Sequence, residues 1–132
     1  MAIRTATMTR EIEREEWPDF FDAFSRRHEG WLVTLEVLDK ELGAQIEVEN
    51  KALKGIVVER KGDPKVIDIF VWNTPDEDSS HIIDKPTRVW VEETDEGADA
   101  AIEIESEDHA TTLLKLRTPA LPETVNGVGP SR

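Results

Sequence analysis

Three histidines, His28, His81 and His109, carry the ring whose ordinary pKa suits proton transfer near neutral pH. Cysteine is absent, which removes thiolate nucleophiles, disulfides, iron–sulfur clusters and Cys-ligated zinc. His81 has the richest company. It follows Asp76-Glu77-Asp78 and precedes Asp84, the mixture of imidazole and carboxylate from which acid–base and metal sites are built. Asp76, Asp78 and Ser80 imitate the opening of a calcium loop, but the following residues offer no glycine for its tight turn. Thr87 also stands where a bidentate Glu is needed. No metal or cofactor is expected.

His28 lies eleven residues after Trp17, about 20° round a helix from it, so it shares that helix's apolar face. A partly buried histidine meeting the helix dipole is the ordinary reading of such a position. The candidate ligand-binding residues are therefore His81, Asp84 and His28. His109 falls in Ser-Glu-Asp-His-Ala-Thr-Thr, an expected exposed turn. No serine has a visible base partner, and the nucleophile elbow, phosphate loop, dinucleotide fingerprint and H-E-x-x-H patterns are all missing.

Elements that could position these groups are easier to read. Trp17, Phe20, Phe21 and Phe24 recur at i, i+3, i+4 and i+7, one stripe of an amphipathic helix that starts near Arg14 to Trp17. Pro18 is tolerated only in a first turn, and Gly30 suits the end. All four aromatics are expected in the core. From Trp31 the apolar period drops to two, as in strands. Turn chemistry separates the segments at Gly43, at 61–64, at 73–80 and at 95–97. The fold class is α+β: one N-terminal amphipathic helix packed on a curved, mostly antiparallel sheet of about six to seven strands. Ile46 and Val48 should face the core opposite Glu47 and Glu49, as should Ile102 and Ile104 opposite Glu103 and Glu105. Strand 66–72 breaks the pattern, because Phe70 and Trp72 oppose its core residues. With Trp90 they form a candidate interface.

At 132 residues the chain reads as a single domain over 9–117, with a flexible N-terminal extension (1–8) and a disordered tail rich in proline and glycine (118–132). Twenty-nine acidic residues against sixteen basic ones give a formal charge of −13. Nucleic acid and anionic membranes are disfavoured partners, because both are held by clustered lysine and arginine. A homodimer and a basic protein partner stay open. The N-terminus lacks the apolar core of a secretory signal and no run is long enough to span a bilayer, so the expected location is cytoplasmic.

The stretch from Glu13 to Val37 resembles the opening of a bacterial family of small proteins built on a domain of unknown function. The matching residues are Trp17, Pro18, Phe20, Phe24, His28, Gly30 and Trp31, with His81, Pro86 and Val89 further on. The likeness covers about Met8 to Arg117 and carries no activity with it. The sequence reading is thus a non-enzymatic accessory or interaction protein acting through its surface. The alternative is a small-ligand binder or enzyme with a His/carboxylate site between helix and sheet.

Overall fold

The computed structural model describes residues 7–117. Residues 1–6 and 118–132, which hold most of the expected extension and all of the expected tail, lie outside the described residues. Strand β1 (Thr7–Ile12) leads through a short 3-10 turn (Arg14–Glu16) into helix α1 (Trp17–His28). Seven strands follow: β2 (Leu32–Asp39), β3 (Gly43–Val58), β4 (Val66–Thr74), β5 (Glu77–Asp84), β6 (Pro86–Thr94), β7 (Asp99–Ser106) and β8 (Thr111–Leu116). They form one sheet in the order β1-β6-β7-β8-β2-β3-β4-β5, antiparallel at every junction.

Eight strands exceed the expected six to seven. The two that the sequence hides are the edges, β1 and β5. Each buries a single large apolar side chain, Ile12 and Ile83, so alternation has almost nothing to mark. What makes them strands is the backbone of a neighbour: Thr7 to Ile12 pair residue for residue with Thr94 to Val89. Glu77 to Ser80, expected in a turn, continue β5 against Thr74, Trp72, Val71 and Phe70. In the opposite sense, the segments 44–50 and 52–60 merge into the single long β3.

A one-residue link decides the curvature. β5 ends the sheet and β6 is second from its other end, yet only Lys85 joins them. The two ends must therefore approach each other, and the sheet curls round its core without closing. Lys85 makes the corner at φ 49°, unusual for a residue with a Cβ. Its N–H donates to Lys65 O at 2.9 Å and its carbonyl accepts from Glu107 N–H at 3.0 Å. Arg14 ties the same corner to the helix by donating to Pro64 O and Pro86 O at 3.1 and 3.0 Å.

Helix α1 buries Trp17, Phe21, Phe24 and His28. Phe20, at the border of the stripe, is only partly buried against the core. The helix runs beside the second half of β3, which β2 does not reach. There the Ser25 hydroxyl acts as a surrogate strand: it accepts from Ile56 N–H at 2.8 Å and donates to Ile56 O at 3.3 Å. Gly30, at φ 88°, turns the chain out of the helix, and its N–H donates to Leu53 O.

The facing of Ile46 differs from the expectation. Leu35 pairs with Val48, but the next residue, Glu36, pairs with Ile46, so a bulge adds one residue to β3. The extra residue reverses the parity. Val48 stays against the core while Ile46 turns outward, 57% exposed. In β7 the pairing shifts between Asp99 and Ala101, but from Ala101 to Glu105 it runs in register, and Ile102 and Ile104 are fully buried as expected.

Candidate functional site

The histidines do not converge. His28 is 5% exposed and its Nδ1–H donates to Phe24 O at 2.9 Å, one helical turn back. Its ring packs between Phe24, at 4.3 Å, and Trp31, edge-on at 4.9 Å. Nε2 faces Asp99 Oδ2 at 3.7 Å, too far for a hydrogen bond, and Arg27 takes that same oxygen at 2.6 Å. Burial pushes the imidazole below its ordinary pKa, against the opposing pull of the Phe24 carbonyl and Asp99. A histidine–carboxylate pair is present, but its ring packs against aromatic side chains, and among the described residues no hydroxyl hydrogen-bonds to it. The close contact that ties the helix end to the start of β7 is Arg27 with Asp99.

His81 pairs with Ile69 and Asp84 with Val66 in the β4–β5 register. Three residues apart on one strand, they point to opposite faces of the sheet. Asp84 lines a cleft of about 430 Å³ at the Lys85 corner, with Arg14, Asp63, Lys65, Lys85 and Glu107. Three cations balance three carboxylates there, and the guanidinium of Arg14 is already committed to Asp63 and two carbonyls. Among the described residues, no three His, Asp or Glu side chains gather as a metal would require. His109 makes the β7–β8 turn at φ 71°.

Chemistry of another kind sits on the outer surface of the sheet. Among the described residues no helix covers that face, and the register defines what it displays. One cross-strand row runs Glu11, Trp90, Glu103, Leu113, Glu36, Ile46 through β1, β6, β7, β8, β2 and β3. Acid and large apolar side chains alternate along it. Among the described residues, Glu36 has a cation at ion-pair distance, Lys115 at 3.1 Å, while Glu11 and Glu103 have none. Desolvation holds the Glu103 carboxyl above its ordinary pKa, and the neighbouring charges of Glu92 and Glu105 add to the effect. Trp90 is half-buried in this row, with the Arg88 guanidinium 5.8 Å from its ring.

Phe70 and Trp72 lie on the outer face of β4, also half-buried. Trp72 is partly roofed by Lys54, whose Nζ stands 4.6 Å from the ring and pairs with Asp78 at 2.5 Å. In the sheet order β7, β8, β2 and β3 stand between β6 and β4, so Trp90 belongs to one outer patch and Phe70 with Trp72 to another. Sequence reasoning found the three aromatics but missed the acids between them. The signal was available in Glu103 and Glu105, whose partners become apparent only when the register is known.

Known proteins place these features in a lineage without adding an activity. The chain is 36% identical over 114 residues to an uncharacterised protein of Aquifex aeolicus (strain VF5), covering 86% of this chain and 96% of that one. No solved structure matches it. Residues 8–124 match a family described as of unknown function, and that span takes in the helix, every strand from Met8 onward and both outer patches. The chain belongs to this family, DUF5335.

Proposed function

We propose that this chain is a non-enzymatic interaction protein that binds a basic protein partner on the outer face of its sheet. The observation that carries the reading is the alternating row from Glu11 to Ile46. Glu103 in that row is partly desolvated and held among like charges, an arrangement that costs the isolated protein stability. A cation brought by a partner removes that cost, while Trp90 and Leu113 supply apolar area between the acids. The formal charge of −13 steers such a partner toward the protein from a distance.

The place of action in this reading is the cytoplasm. Among the described residues no helix is long and apolar enough to cross a membrane, and a chain without cysteine needs no oxidising compartment to fold.

The test is cross-linking capture from cells producing the tagged protein, comparing the native chain with Trp90→Ala and Glu103→Lys. A basic protein retained by the native chain and lost from both variants, with weakening as salt rises, is the expected result. Equal retention by all three would refute the reading.

A further inference from the structure

We propose that the outer face of β3, β4 and β5 recognises an arginine side chain of the partner, with Asp68 as its anchor. The inference rests on the reading of this protein as a binder of basic proteins, but it stands on a different patch from the Trp90 row.

The register puts Asp68 at the centre of an apolar ring. Across the strands it pairs with Val57 of β3 and Ile82 of β5. Along β4 the same face carries Val66 and Phe70, two residues to either side. Val57 and Ile82 are 55% and 61% exposed, so the ring opens to solvent. Asp68 itself is half-buried and its Oδ1 is fully enclosed without a hydrogen-bond partner. Among the described residues no Lys, Arg or His stands at ion-pair distance from it; Lys54, further along the sheet beside Trp72, pairs with Asp78.

A carboxylate among apolar side chains, with one oxygen unsatisfied, does nothing for the stability of the free protein. A cation arriving from outside reaches this carboxylate through its other oxygen, Oδ2, which is not enclosed, and offsets a charge that the fold leaves unpaired. Arginine fits better than lysine, because its flat and weakly hydrated guanidinium can stack on the Phe70 ring while donating to the carboxylate. The methylene stem then lies on Val57 and Ile82, which exclude water round the contact in the manner of an interface hot spot.

Titration of the isotope-labelled full chain with acetyl-Leu-Arg-Leu-amide, followed by NMR, tests this directly. The control is the same peptide with citrulline, which keeps the shape and loses the charge. Saturable shifts confined to Val57, Val66, Phe70 and Ile82 are expected, weaker by at least about tenfold with citrulline or in Asp68→Asn, as for a lost charge-assisted hydrogen bond. Equal shifts with the citrulline peptide would overturn the proposal, as would shifts unaffected by Asp68→Asn or centred on Trp90 and Glu103. The citrulline comparison uses the unaltered protein, so it stands even if Asp68→Asn folds poorly. Failure here with capture still dependent on Trp90 would remove the arginine anchor and leave the binding of a basic partner intact.

Discussion

At the residue scale, His28 and Glu103 are titratable groups whose surroundings oppose their charged forms, and each makes a pH prediction of known sign. Burial lowers the pKa of His28 in the folded chain, so the unfolded chain takes up its proton first as pH falls. Stability contributed by the neutral ring is complete above the unfolded value, about 6.5, and is lost as pH descends from there toward the lower folded value. Urea unfolding at pH 7.5 and 5.5 should show the native chain weakening more than His28→Gln does. An identical drop in both would show that other groups set the slope. Glu103 works in the other direction. Its folded pKa is raised, so the native state is penalised once pH exceeds the unfolded carboxyl value. Glu103→Gln should therefore raise the urea midpoint at pH 7, with the gain fading below the ordinary carboxylate range. A midpoint lowered at pH 7 would mean that Glu103 is held by contacts other than its repelling neighbours.

At the scale of elements, α1 does two jobs that are usually separate. Its aromatic stripe fills the core, and its Ser25 satisfies the backbone of β3 where a strand is missing. Removing that hydroxyl leaves a partly buried N–H and C=O of Ile56 without partners, so Ser25→Ala should cost about 1–3 kcal/mol. Amide exchange at Ile56 should accelerate in the variant while that of Ile102 and Ile104 follows only the global loss. Unchanged exchange at Ile56 would show that the helix shields β3 by packing alone. The Lys85 corner is the complementary device. It turns one continuous run of chain from one end of the sheet to the other, and its two backbone bonds join the β3–β4 and β7–β8 connections.

The whole molecule is governed by an excess of negative charge that its own ion pairs relieve only locally. Pairs such as Arg60 with Asp19 and Arg26 with Asp22 are exposed, and contacts of that kind add little. Self-repulsion of the compact state is then screened by salt, with a Debye length of about 30 Å at 0.01 M falling to about 8 Å at 0.15 M. The melting temperature should rise across that range, while binding of a basic partner should weaken. A melting temperature that falls with salt would show that attractive pairs outweigh the net charge.

The sequence by itself determined the fold class, helix α1 and three of the four aromatics of its core stripe. Trp17, Phe21 and Phe24 announce a buried face because a helix repeats every 3.6 residues whatever it packs against. The central strands were legible for a similar reason: Ile67, Ile69 and Val71 alternate with the residues of the other face, and burial on one side forces that period. Tertiary structure alone decided the rest. The edge strands β1 and β5 exist through pairing with β6 and β4, and their own residues carry almost no pattern. The outward turn of Ile46 follows from a bulge against β2, a property of two strands together. His28, His81 and Asp84 shared a sequence neighbourhood or a chemical type, but strand parity and helix burial sent them to different environments. The acids of the Trp90 row and the ring round Asp68 were brought together by register, since residues on six strands in the one and three in the other become neighbours only when backbone hydrogen bonds fix which face and which partner each one has.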